Sequence, residues 1–291
     1  MRVRGPLPAT TLPRTASPLR LTAAHALDLA GNSPLAADPD LRTFTADLVR
    51  RYGLPLDEDA LTGARGQSYT ALGELVVRQL VDPGRPVDLL VLVYASPDVR
   101  PGQAVATQLS GVCPGEPLSF AVCDEGVAGT FSALAVADAY ARTGGARRAL
   151  LIVVEQAHLH HRPHRAARLP DRHSAAALLW ETESGGRPLQ LLRSANDVRS
   201  GHVMGALHEL CAELPAGALL VLGPGLVEEA APGGVESRRA RTGSPYTGGW
   251  AALGEALADP GLAGRPLALA DREPETGRLD LACWAPQEPP E

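Results

Sequence analysis

Residues 87–94, Val-Asp-Leu-Leu-Val-Leu-Val-Tyr, form an almost unbroken apolar run between Pro86 and Pro97. Such a run predicts a buried strand. Residues 148–155, Arg-Ala-Leu-Leu-Ile-Val-Val-Glu, repeat the pattern and predict a second strand covered on both faces. Between them, 103–110 predicts a helix after Pro101-Gly102, and 118–123 predicts a strand. Residues 127–142 place Val127, Phe131, Leu134 and Ala135 at helical spacing and stop at Gly144-Gly145. Residues 174–181 and 188–192 flank Ser184-Gly185-Gly186 and read as a hairpin closing the first half.

The remainder repeats the alternation more briefly. Residues 202–214 are helical through Val203, Leu207, Leu210 and Leu214. Residues 218–222 predict a strand ending at Gly223-Pro224-Gly225, 247–257 a helix, and 266–270 and 278–284 two closing strands. Strands alternating with helices define an α/β protein. Two halves follow, 1–193 and 194–291, and no low-complexity linker separates them, so they are expected to be fused face to face.

Composition narrows the class. Hydrophobic residues make up 45% but aromatics only 4%, so the core must be built from Leu, Val and Ala. A net charge of −6 argues against nucleic acid as a partner, because phosphate binding needs a concentrated basic surface. No apolar run approaches the roughly 18 residues of a membrane span. Pro6, Pro8 and Pro13 interrupt any signal-peptide core after Arg2 and Arg4. Cys113, Cys123, Cys211 and Cys283 lack metal-ligand spacing and are too few for a disulfide framework, so a reduced, cytoplasmic protein without metal or cofactor is expected.

The segment 87–155 carries a resemblance. Val87-Asp88-Leu89-Leu90-Val91, then Ala95-Ser96-Pro97-Asp98 with Ala104-Val105-Ala106, then 120–138, then Gly144-Gly145-Ala146-Arg147-Arg148-Ala149-Leu150 resemble, in order, the first half of the thiolase superfamily in its β-ketoacyl synthase III (KAS III) branch. The resemblance implies a five-layer αβαβα sandwich of two similar halves with the active site between them. It also implies a cysteine that attacks an acyl thioester, and a histidine and asparagine that stabilise the oxyanion and assist decarboxylation. Carried over, the cysteine position falls on Gly126 or Val127, the histidine on Gly223 and the asparagine on Ser244. Neither Gly126 nor Val127 is a nucleophile, and serine lacks the amide geometry. The stretch before His202 is also shorter than the substrate-capping segment of such relatives.

Three residues offer substitute chemistry. Cys123 precedes the turn, and Asp124 and Glu125 beside it oppose a thiolate, so a structural cysteine is the better reading. Glu125 is either a general base or a carboxylate at a helix N-terminus, and the latter is the simpler assignment. Ser244 is the third, weak candidate.

The segment containing His158, His160, His161, His164 and His173 is interleaved with Arg162, Arg165, Arg168 and Arg172. Irregular spacing and Pro163 disfavour a metal set. It reads as an interface loop, or as a basic patch docking an acyl carrier protein. Gly223-Pro224-Gly225 is an ordinary turn rather than a phosphate loop, and His202 and His208 are surface residues.

The expectation is therefore a non-catalytic subunit of a KAS III-like acyl-condensing enzyme. It would complete the interface and pocket of a catalytic partner through the central strands. The thioester would be carried by acyl carrier protein or coenzyme A. The alternative is a divergent condensing enzyme or acyltransferase, active by itself from Cys123, Glu125 or a histidine of the 158–173 segment.

Overall fold

The computed structural model describes residues 17–163, 168–183, 185–226, 228–229 and 231–287. β1 (Arg20–Leu29) leads into α1 (Asp40–Arg50), α2 (Glu58–Thr62) and α3 (Tyr69–Leu80). Then come β2 (Leu89–Tyr94), α4 (Val105–Val112), β3 (Leu118–Cys123), α5 (Ala128–Arg142), β4 (Arg148–Glu155) and β5 (His173–Glu181). The second half runs β6 (Arg187–Ala195), α6 (Val203–Cys211), β7 (Leu219–Leu222), β8 (Glu236–Arg239), α7 (Gly248–Leu257), β9 (Leu267–Glu273) and β10 (Arg278–Trp284).

Strand order shows the internal duplication. The sheet reads β3-β2-β4-β5-β1 and continues β6-β10-β9-β7-β8. Replacing β1 through β5 by β6 through β10 converts one half-order into the other. The pairing directions agree as well. β2 is parallel to β3 and β4, as β7 is to β8 and β9, while β5 and β10 pair antiparallel on both sides. Between β1 and β6 the half-sheets are joined by the pairs Arg20↔Pro188 and Leu21↔Arg187.

Three apolar clusters define the layers. Leu90, Leu92, Ile152 and Val154 face α3 and α4 on one outside. Leu220, Leu222, Ala268 and Leu281 face α6 on the other. Between the half-sheets, Phe131, Leu134 and Ala137 of α5 and Trp250 and Leu253 of α7 pack against Val91, Leu151, Val221 and Leu269. The Phe131 and Trp250 rings lie 5.1 Å apart, binding the two central helices together. The result is the expected αβαβα sandwich, and the scarce aromatics are concentrated in its middle.

Three sequence expectations change. The segments around 184 do not form a hairpin: β5 pairs with β1 and β4, whereas β6 pairs with β10. The half-sheets therefore part between Glu181 and Arg187, and a division at 193/194 falls inside β6. The helix expected over 202–214 ends at Cys211, preceded by a 3-10 turn over Ser200–His202. The strand expected over 266–270 extends to Glu273 and carries Asp271, Arg272 and Glu273 into the interior.

Candidate functional site

At the end of β3 the chain turns sharply through Asp124 (φ 64°) and Gly126 (φ 57°), and Val127 caps α5. The helix starts where small residues permit a close approach: a Cβ on Gly126 would overlap the Glu273 carboxylate. Glu273 reaches this point from the end of β9, in the opposite half. Its Oε2 accepts the Val127 N–H at 3.0 Å and its Oε1 accepts the Glu275 N–H at 3.1 Å. A carboxylate on a helix N-terminus is favoured by the free N–H groups and the macrodipole. The same properties would lower the pKa of a thiol placed there. Here an internal carboxylate uses them, and Val127 beside it is buried.

Gly223, just after β7, has the same relationship to a second acid. A Cβ there would overlap the side chain of Asp271, two residues before Glu273 on the same face of β9. Asp271 Oδ1 accepts the N–H groups of Gly225 and Arg272, each at 2.8 Å. Burial pushes its carboxyl up to about 7.

Ser244 is buried and packs beside Gly248, whose other neighbours are the Arg241 carbonyl and Pro224. Next to it, Glu155 at the end of β4 accepts hydrogen bonds from Ser174 (2.6 Å), Thr247 (2.5 Å) and the Tyr246 N–H (2.9 Å). Burial raises the Glu155 pKa as well.

The positions matched by resemblance to cysteine and histidine thus meet the end of β9, while Ser244 lines a separate pocket with Ser174 and Thr247. A cleft of about 400 Å³ opens at Gly126, lined by Asp124, Glu125, Arg168, Tyr246, Glu273 and Glu275 among others; Gly223 and Ser244 do not line it. Among the described residues its lining holds carboxylates, one guanidinium, one phenol and the Thr276 hydroxyl, and no thiol, imidazole or carboxamide. Tyr246 donates to the Arg168 carbonyl at 2.9 Å, and burial pushes its phenol up to about 12. The lining therefore holds no thiol to accept an acyl group.

The other sequence candidates are dispersed. Cys123 is exposed on β3 and does not line the cleft. Desolvation, then the neighbouring Asp124, raise its thiol pKa. Glu125 is engaged, accepting from Ser132 Oγ at 2.5 Å and Arg278 Nη1 at 3.3 Å.

His173 Nδ1 accepts the Ala157 N–H at 3.1 Å and its ring meets His158 edge-on. Burial pushes His173 down to about 4. His160 Nε2 contacts the Arg65 carbonyl at 2.6 Å, and His161 bridges to Leu56. His202 and His208 lie at the two ends of α6, both exposed. Among the described residues no three His, Cys, Asp or Glu side chains form a metal set.

The arginines diverge. Arg162 faces Asp57 and Asp59, Arg172 pairs with Asp28 at 3.0 Å, and Arg168 donates to the Pro224 carbonyl at 2.9 Å. Arg165 and His164 lie outside the described residues. All four cysteines are free, and no described helix is long and apolar enough to cross a membrane.

By sequence, no family model and no curated protein matches the chain. Solved structures do match in shape. AbyA1, a tetronic acid condensing enzyme, superposes with a TM-score of 0.61 at 17% identity, covering 91% of this chain and 99% of its own. The 3-oxoacyl-[acyl-carrier-protein] synthase III of Aquifex aeolicus VF5 gives 0.61 at 12% identity, covering 92% and 99%. A variant of Xanthomonas campestris OleA, with bound lauric acid and lauroyl-CoA, gives 0.58 at 13% identity, covering 94% and 99%. The chain has the thiolase-like fold of KAS III-type condensing enzymes.

Proposed function

We propose that this chain is the non-catalytic subunit of a KAS III-like acyl-condensing enzyme in specialised metabolism, pairing with a subunit that retains the nucleophile. The observation that carries the reading is Glu273 on the Val127 N–H. A helix N-terminus aimed at the site is the element that would make a thiolate here. In this chain it is occupied by a buried carboxylate from the opposite half, and Asp271 fills the space beside Gly223. An acyl thioester carbonyl would meet negative charge where its developing oxyanion needs donors.

The fold gives such a chain something to contribute. Among the described residues β3 is the outer strand of its half-sheet, pairing only with β2. Leu118 on it is 55% exposed, and Phe120 and Val122 are half-buried. An unpaired apolar edge is a template for another chain. Pairing there would continue the sheet into a second subunit and carry the turn at 124–127 to the interface. The thioester, on acyl carrier protein or coenzyme A, would then be processed in the partner's pocket.

Co-expression with a KAS III-like protein encoded beside it tests the proposal. The expected result is an equimolar complex whose condensing activity is abolished by removing the partner's cysteine. Condensing turnover by this chain purified alone would overturn it.

A further inference from the structure

α1 carries an apolar row on its outer side. Leu41, Thr45 and Val49 are buried and seat the helix on the first half. Phe44 and Leu48, one turn apart, are 44% and 47% exposed, and Tyr52 in the turn that follows is 69% exposed. Arg51 keeps helical backbone and the Tyr52 N–H donates to the Val49 carbonyl at 3.0 Å, so Tyr52 continues the row at i, i+4 spacing. The other large apolar side chains exposed among the described residues are Val112, Leu118 and Met204, which stand on α4, β3 and α6. Single exposed apolar residues are ordinary, whereas a row of them on one helix marks a contact surface.

The charges beside the row are not all matched within the chain. Asp47 pairs with Arg50 at 3.3 Å, Asp38 with Arg100 at 3.0 Å, and Glu58 with Arg42. Asp40 at the N-terminal end of the row and Arg51 at its C-terminal end form no ion pair among the described residues. At Asp40 a cleft of about 290 Å³ opens, lined also by Leu41, Phe44, Arg100, Gly102 and Gln103. A Cβ on Gly102 would stand 3.0 Å from the Phe44 ring, so the lack of a side chain there lets the ring form one wall. One helix thus offers an aromatic knob and a base at one end, and a hole and an acid at the other.

We infer that α1 is a self-association surface, on which a second copy of this chain packs its own α1 antiparallel about a two-fold axis near Thr45 and Ala46. That axis sets Asp40 against the partner's Arg51 and Arg51 against the partner's Asp40, and it interleaves Phe44 with the partner's Leu48. It also carries each Tyr52 toward the other copy's cleft, where Leu41 and Phe44 suit a ring and Gln103 suits a hydroxyl. Knob, hole and both charges belong to one surface, which is what an isologous contact requires and a partner of different sequence does not. The inference uses no residue of β3 or of the turn at Glu273, so it does not depend on the accessory-subunit reading.

A contact of this size is weak, with a dissociation constant on the order of tens of micromolar, so sedimentation equilibrium at high protein concentration tests it. Leu118→Lys serves as the parent, which keeps pairing at the β3 edge out of the measurement. The parent should dimerise reversibly. Leu48→Lys, at a position already open to water, should weaken that dimer about tenfold. Asp40→Arg and Arg51→Asp should each weaken it about threefold. Their combination should restore the parent's affinity, because a two-fold contact exchanges both charges together. A dimer indifferent to Leu48→Lys, or a combined exchange no better than either single variant, would overturn the proposal. A parent monomeric at every concentration would overturn it too and leave the row to a different protein.

Discussion

The carboxylate of Glu273 accepts the backbone N–H of Val127 at 3.0 Å, joining residues 146 apart in the chain at the first turn of α5. Gly126 makes this possible by lacking a Cβ and by adopting φ 57°. The two residues should therefore be energetically coupled. Gly126→Ala is expected to cost about 2–3 kcal/mol, of which roughly 1–2 is the left-handed backbone alone. In a Glu273→Ala background the same substitution should cost only the backbone share. A double-mutant cycle by urea denaturation measures the difference, expected at about 1 kcal/mol. Additive effects would mean that Glu273 does not occupy the turn.

The β3 edge makes a separate prediction. Leu118→Lys places a charge on an exposed edge position, which discourages strand pairing. Because Leu118 is already open to water in the single chain, monomer stability should change by no more than about 0.5 kcal/mol. Association, read by light scattering during size-exclusion chromatography, should weaken at least tenfold. An unchanged oligomer would place the interface elsewhere.

Asp271 ties stability to pH. Its folded pKa, raised to about 7 by burial, lies above the 3.8 of the free group. Between those values the folded chain holds a proton that the unfolded chain has released, so this group lowers stability as pH rises from about 4 to 7. Asp271→Asn keeps an oxygen for the Gly225 and Arg272 N–H groups and removes the titration. Relative to wild type, the variant should gain on the order of a few kcal/mol at pH 8 and far less at pH 4. His173, held near 4 by burial, works in the opposite sense and strengthens the fold as pH rises through 4 to 6.5. It is common to both proteins, so the wild-type–variant difference isolates Asp271. Denaturant midpoints at the two pH values decide it, and a difference independent of pH would contradict the assignment.

Much of this fold can be read from hydrophobic runs. β4 falls where its apolar stretch begins and ends, because a strand covered on both faces needs no polar residue until the turn. β1 left no such mark, since most of its positions are half-buried and its pattern is correspondingly mixed. β8, Glu-Ser-Arg-Arg, is exposed throughout and has the composition of a loop.

The candidate site divides in the same manner. That Gly126-Val127 offers no nucleophilic side chain is visible in a single local motif. The acids that meet the matched positions are not, because Glu273 reaches the turn from the opposite half and Asp271 reaches Gly223 from a strand 48 residues further along the chain. In sequence they simply end an apolar run at Ala270. The one available signal was their alternation: Leu267, Leu269, Asp271 and Glu273 share a strand face that packs inward.

The central claim is that this chain presents no acyl-accepting group of its own. Intact mass spectrometry after incubation with an acyl-coenzyme A thioester tests it most directly. Wild type and Cys123→Ala are both expected to keep their unmodified masses. A stoichiometric acyl adduct on wild type that disappears in Cys123→Ala would contradict the account.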